Sequence, residues 1–382
     1  MKPNQVWLAA TMLTLLGTAS AWATPFIPVD DARVLADLPP GARHSSNAAR
    51  EVSRTRLDVA VPLAQFYVGR ARATGDLRYL GYAEATLQPW LAKSPVAPGV
   101  LVLDATVLQS RHEFDASLKQ LDRALKARPD DAQAWLTRAT VLRVLGRYDE
   151  AGRACAHLPP EAGAALIELC TESVRGLSGH LQSAYTTIAS MSPQALPPAA
   201  LAWRCSELGE MAERLGRDED AQRWFEQGLT MAPDDFYLRA ALADLLLQQG
   251  HSTEVLKLLD GYQSMEPMLL RLALAQQQLA DPQLKRSSSM LSDAFGLEER
   301  RGETVHRREQ ARFLLDVARQ PEEALTAAQE NWQVQREPDD ALILLRTARA
   351  AHHPEAASQA LTFLRQQQLE DVRMDAFRSE LR

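Results

Sequence analysis

The sequence is poor in what strands and compact catalytic sites are built from. Aromatic residues make up 6% of the 382 positions, and runs of β-branched and aromatic side chains, the mark of strands, are scarce. There is no Gly-rich phosphate loop, no His-Glu-x-x-His pattern, no nucleophile elbow and no Cys-x-x-Cys pair, so no catalytic residue, metal ligand or cofactor site is expected. Base does not exceed acid: 42 Lys and Arg stand against 49 Asp and Glu, a formal charge of −7. Phosphate attraction needs clustered cations, so nucleic acid is not an expected partner. Beyond the first two dozen residues no apolar run is long enough to cross a bilayer.

Cysteine is sparse. Cys155, Cys170 and Cys205 are an odd number, which excludes a complete disulfide framework. Free cysteine is among the most buried residue types, so the simple expectation is three small core side chains. The alternative is one bridge, Cys155 to Cys170 across a helix turn, in an oxidising compartment.

The first stretch reads as targeting rather than fold. Lys2 gives a positive start, Val6 to Leu16 an apolar core, and Ala21-Trp22-Ala23 small residues where a signal peptidase reads. A signal peptide over 1–23, cleaved between Ala23 and Thr24, places the protein in the periplasm or outside the cell; an uncleaved anchor is the alternative. Removing residues 1–23 takes away Lys2 and no acid, which leaves 41 basic and 49 acidic residues and a charge of −8. Residues 24–50 show no period and read as an extended lead-in.

Ala, Leu, Arg, Glu and Gln dominate the remainder, and all are strong helix formers. Two stretches align without a gap at an offset of about 34 residues. Leu101, Ala105, Leu108, Phe114, Ser117 and Leu121 map onto Trp135, Ala139, Leu142, Tyr148, Ala151 and Cys155. Cys205, Leu208, Gly209, Ala212, Ala221, Phe225 and Pro233 map onto Arg239, Leu242, Ala243, Leu246, Val255, Leu259 and Pro267. Small residues at Ala105, Ala139, Gly209 and Ala243 let two helices approach, and each helix carries one apolar stripe. A single pair cannot bury both stripes, so neighbours must stack.

This pattern resembles the tetratricopeptide repeat family, most clearly in Leu208-Gly209, Ala212, Ala221, Phe225 and Pro233. Asp104, Arg138 and Arg239 depart from it by placing charge in slots the family fills with apolar residues. The resemblance implies an all-α solenoid, a right-handed superhelix of helix-turn-helix pairs over 51–382. The clearest repeats are 98–131, 132–165, 202–235 and 236–269. Spacing places further pairs at about 57–91, 161–192, 268–300, 304–336 and 340–368, roughly nine in all. Pro129-Asp130-Asp131, Pro233-Asp234-Asp235 and Pro338-Asp339-Asp340 read as three copies of one boundary, in which Pro stops a helix and Asp caps the next. Gly146, Gly179, Gly216 and Gly250 fall at the turns within pairs.

The function the resemblance implies is non-enzymatic: a scaffold of the bacterial cell envelope that binds a protein or peptide on a concave face lined by first helices. A narrower alternative is an assembly or export factor of an envelope complex of polysaccharide or pilus type; a metal-handling protein or an enzyme is a distant third. By the family's mapping that face receives Thr106, Gln109, Thr140, Arg143, Glu210, Glu213 and Asp244. The family's best-known groove holds a C-terminal carboxylate with Lys and Asn. The matching positions here are Val102, Thr106, Leu136, Thr140, Ser206, Glu210, Ala240 and Asp244, so such a carboxylate is not expected to bind. The mid-array acids favour a basic or neutral segment instead. A second candidate surface is the basic cluster Arg300, Arg301, Arg307, Arg308 and Arg312, beside His306; its ordinary reading is a solvated helix face, and its alternative is a dock for an acidic partner or lipid head group. His352-His353, before Pro354, reads as a surface pair, and Trp332 as packing.

Overall fold

A computed structural model of the chain describes residues 51–302 and 305–380. The signal-peptide reading of 1–23 and the lead-in over 24–50 lie outside the described residues. Among the described residues there is no strand, and the chain is an α-solenoid of tetratricopeptide type.

Among the described residues nine helix pairs follow one another. They are α1 (Leu57–Thr74) with α2 (Arg78–Leu91), α3 (Pro98–Ser110) with α4 (Phe114–Ala127), α5 (Ala132–Val144) with α6 (Tyr148–Ala156), α7 (Ala164–Arg175) with α8 (Leu181–Ser190), and α9 (Pro198–Arg214) with α10 (Asp218–Met231). Then come α11 (Phe236–Gln248) with α12 (Ser252–Leu258), α13 (Glu266–Gln278) with α14 (Leu284–Arg301), α15 (Arg307–Asp316) with α16 (Pro321–Val334), and α17 (Pro338–Ala350) with α18 (Ser358–Gln366). A last short helix, α19, covers Asp375–Glu380. Odd-numbered helices are therefore the first of each pair and even-numbered the second. No helix of the described residues is long and apolar enough to cross a membrane.

Small residues sit where backbones come close. A methyl carbon added at Gly209 would lie 2.1 Å from the Phe225 ring, so α9 and α10 cross at van der Waals contact and only glycine fits. The turn within each of several pairs needs a left-handed residue: Gly146 and Gly216 both have φ near +71°, where a side chain is strained.

The first two Pro-Asp-Asp boundaries act alike. Asp131 Oδ1 accepts from Ala134 N and Asp235 Oδ1 from Leu238 N, each at 3.0 Å, capping α5 and α11. The third differs, which corrects the expectation of three copies of one device. There Pro338 is the first residue inside α17, Glu337 is the cap, and Asp340 turns back to accept from Glu337 N at 2.8 Å. The charged departures from the family pattern also find partners. Asp104 accepts from Gln120 Nε2 at 2.6 Å, Arg138 reaches Asp122 at 2.5 Å, and Arg239 lies 4.6 Å over the Tyr262 ring.

Cys155 and Cys170 form a disulfide that ties α6 to α7, while Cys205 is free and buried. Three buried thiols, the simpler expectation, is therefore corrected: the last turn of α6 packs against the middle of α7, which brings the two sulfurs together.

The array also closes upon itself. Arg336 N donates to Val144 O at 2.7 Å, Tyr148 Oη donates to Arg336 O at 3.2 Å, and Leu181 N donates to Glu370 at 2.8 Å. Phe363 on α18 packs edge-on to Tyr148, with ring centroids 5.8 Å apart, and presses on Gly146. One apolar core therefore runs from the second to the fourth pair and on into the eighth and ninth. Trp332 is buried in it against Phe363, as packing. His352 and His353 are exposed, and His353 faces Glu322 and Glu355.

Candidate partner-binding site

The first helices of pairs five to nine, α9, α11, α13, α15 and α17, surround a cavity of about 710 Å³, which residues Arg373 and Phe377 of the C-terminal segment also line. Its volume lies within the ~300–1,000 Å³ usual for ligand-holding clefts. Leu247, Leu274, Leu342 and Ile343 give it an apolar share. The remainder is charged, with both signs interleaved.

The charges arrive in registered pairs. Tyr237 on α11 donates its hydroxyl to Glu210 on α9 at 2.7 Å, and Arg271 on α13 reaches Asp244 on α11 at 2.5 Å. Both contacts span a sequence separation of 27, so one geometry is repeated one pair further on. From across the cavity Arg312 on α15 reaches the other oxygen of Asp244 at 2.6 Å. Arg346 reaches Asp316 at 2.6 Å, and Arg373 reaches Asp339 at 3.1 Å.

The two candidate surfaces of the sequence thus meet. Arg308 and Arg312, one turn apart on α15, point into the cavity that Glu210, Glu213 and Asp244 line. Arg308 lies 3.4 Å from Asp340 and 3.6 Å from Glu337, partners that hold its guanidinium firmly charged against the cost of burial. The basic cluster as a single patch is corrected. Arg307 pairs with Glu330 at 3.0 Å, Arg308 and Arg312 face inward, and Arg300 and Arg301 are exposed at the end of α14. They lie on different helices: α14 ends at Arg301 and α15 begins at Arg307.

The other residues assigned to the concave face are placed as follows. Arg143 is ion-paired with Glu207 and lines a small adjoining cavity of about 30 Å³, room for a water or two. Thr106 is buried and donates to Val102 O of its own helix, Thr140 is exposed and does the same to Leu136 O, and Gln109 is half-buried. None of these three lines the large cavity.

Glu213 stands apart. It is 8% exposed, lines both cavities, and among the described residues makes no hydrogen bond or ion pair. Burial pushes its carboxyl up to about 8, with Arg373 opposing and Asp339, Asp244 and Glu210 adding to the rise. Burial and the neighbouring charge of Glu207 also raise Glu210, against the pull of Arg143.

Sequence reasoning missed Tyr237, Arg271, Arg346 and Arg373. Tyr237 and Arg271 occupy one slot of successive repeats, so the repeat phase itself carried the signal. Arg373 lies beyond the last pair, where no period applies.

One further cluster could be read as metal ligands. Atoms of Glu266, Glu298 and His306 lie within 4.8 Å of one another. His306 Nδ1 stands 2.7 Å from Glu298 and 3.4 Å from Glu266. Burial opposes the ring's charge, but the hydrogen bond to Glu298 and the charge of Glu266 raise it to about 9. The three side chains form a partly buried acid–imidazole cluster between α13, α14 and the start of α15.

Comparison with known proteins agrees with the fold. Residues 104–165 match the tetratricopeptide repeat family. No curated protein sequence matches. Among solved structures the chain is similar to one described as an APC/C hetero-tetramer of Cut9 and Hcn1, with a TM-score of 0.50 and 14% identity. That likeness covers 86% of this chain and 63% of the other, so the chain spans less than two thirds of its length. It is also similar to PilF of Pseudomonas aeruginosa at a TM-score of 0.33 and 15% identity, over 65% of this chain and 94% of that one. The family match and the first of these structures establish the architecture, a tetratricopeptide-type α-solenoid with the repeat signature over residues 104–165.

Proposed function

We propose that this chain is a non-enzymatic scaffold of the bacterial cell envelope that holds an extended segment of a protein partner in the cavity lined by α9, α11, α13, α15 and α17. The observation that carries the reading is the lining itself. Five successive first helices present interleaved charges and an apolar share to one space of about 710 Å³. Solenoids use this inner face for partners because each repeat adds one helix to a continuous surface. The paired charges are already satisfied and so disfavour an unpaired intruding charge, apart from what Glu213 can take. Affinity for such a segment should fall as salt rises.

The envelope location rests on the signal-like residues 1–23 and is supported by the Cys155–Cys170 bridge, since disulfides persist in oxidising compartments. A part in assembling or exporting an envelope complex, of polysaccharide or pilus type, is the narrower form of the same reading, and the partner decides it. The test is co-purification of full-length, tagged protein from the cell envelope, with mass spectrometry of what accompanies it. A stoichiometric protein partner, together with an intact mass beginning at Thr24, is expected. Recovery of full-length chain from the cytosol, without a partner, contradicts the proposal.

A further inference from the structure

Glu213 is the one acid of the large cavity left without a partner among the described residues. Asp244 lies between Arg271 and Arg312, Glu210 accepts from Tyr237, Asp316 faces Arg346, Asp339 faces Arg373, and Glu309 lies 3.8 Å from Arg308. The bases are committed in the same way, except Arg319, which is exposed and solvated. The Glu213 carboxyl opens onto the cavity, and among the described residues no side chain there pairs with it. Its residue is more than nine-tenths buried, and it faces an open cavity rather than packed side chains.

We propose that the cavity receives a single cationic side chain, the Lys or Arg of an extended partner segment, with the Glu213 carboxylate as its counter-ion. This rests on the partner-holding reading above and names the chemistry of that same site. The sign follows from what surrounds the group. An anion entering there would meet Glu210, Asp339 and Asp244, while a cation completes the one missing pair. Arg373, the base whose charge acts on it most, already serves Asp371 at 2.7 Å and Asp339 at 3.1 Å, so it does not neutralise Glu213 by contact. Arrival of a cation favours the ionised carboxylate, which pairs with it. The flanking leucines accept the aliphatic stem that Lys and Arg carry behind the charge.

The experiment uses the full chain and short, end-blocked peptides of one apolar sequence that differ only at a central Lys, Arg, norleucine or Glu. Binding is read by fluorescence anisotropy at neutral pH. Lys and Arg peptides should bind about tenfold or more tightly than the norleucine peptide, and the Glu peptide least. Glu213→Gln should bring the Lys-to-norleucine ratio close to one while leaving the helical far-UV spectrum unchanged. Glu213→Asp, which keeps the charge, should retain part of the preference. Equal binding of Lys and norleucine peptides, no binding by any of them, or a preference that survives in Glu213→Gln overturns the proposal. Partner capture from the envelope that is indifferent to Glu213→Gln would refute the role of Glu213 while leaving the scaffold reading standing. Loss of all capture in the wild type would remove the reading beneath it.

Discussion

The Arg312 guanidinium on α15 lies 2.6 Å from the Asp244 carboxylate on α11, two pairs earlier in the array. Each side chain is 21% exposed. Asp244 and Arg312 came from two separate candidate surfaces in the sequence, one acidic and one basic, and here they satisfy each other across the cavity.

Breaking this contact should cost stability rather than partner binding alone. Arg312→Ala leaves Asp244 with Arg271 only, and a loss of about 1–3 kcal/mol is expected in denaturant unfolding. Asp244→Lys should be worse, because it sets a cation against Arg271 and Arg312. A double-mutant cycle on Asp244→Ala and Arg312→Ala should show a coupling of ~0.5–3 kcal/mol. Additive single effects would mean that the two are not in contact. Consequently a double change of Glu210 and Asp244 to Lys would disturb the fold as well as the groove.

The crossing of α9 and α10 gives a second test. Gly209→Ala puts a methyl 2.1 Å from the Phe225 ring, so a loss of about 1–3 kcal/mol is expected even though alanine favours helix. Phe225→Leu, introduced into that variant, should return part of the loss, because the atom in the way is removed. A Gly209→Ala protein that melts like wild type would show that the crossing is not tight.

Much of this architecture was legible, and the limit of legibility has a physical cause. Repeats specify their neighbours: the slot of Gly209 fixes a close crossing, Asp131 and Asp235 fix helix starts, and Gly146 fixes a turn. Each is local, so its signal lies within one period. The third boundary misled because Pro tolerates the first helical position as readily as the position before it, and Pro338 took the former. The meeting of Arg336 with Val144, or of Glu370 with Leu181, was not legible at all. It depends on the rotation accumulated over several pairs, which no single repeat encodes. Glu213 lines the cavity of the first helices, but its isolation appears only once every neighbour's partner is known.

Stability should fall as pH rises from about 6.5 to 9. Burial raises Glu213 to about 8, and Glu210 and Glu266 are raised for the same leading reason. The folded chain therefore keeps protons that the unfolded chain releases above about 4.3, and stability declines as pH climbs toward the folded values. His306, raised to about 9, acts in the same sense: its contribution is complete below about 6.5 and lost as pH passes 9. His112, held down to about 4 chiefly by burial, has the opposite slope, but only below about 6.5. Melting temperatures across this range should decline, and Glu213→Gln should make the decline shallower. A flat or rising profile contradicts the assignment.

The bridge between Cys155 and Cys170 closes a short loop, with a sequence separation of 15. Loop closure of that length is worth about 3 kcal/mol, so reduction should lower the unfolding midpoint accordingly. Thiol labelling of the native protein should find no reactive group, and labelling after unfolding without reductant should find only Cys205, which is buried in the fold. Three reactive thiols in unreduced, unfolded protein would rule the bridge out.

The most direct test of the central claim, that partners enter the cavity of the first helices, is site-specific photocrosslinking in cells. Gln248 is exposed and lines the cavity, whereas Lys119 is exposed on α4, a second helix that does not. A benzophenone amino acid in place of Gln248 should yield a discrete adduct with a protein partner in the envelope, and the same group in place of Lys119 should yield none. Adducts at position 119 with none at 248 would contradict the claim.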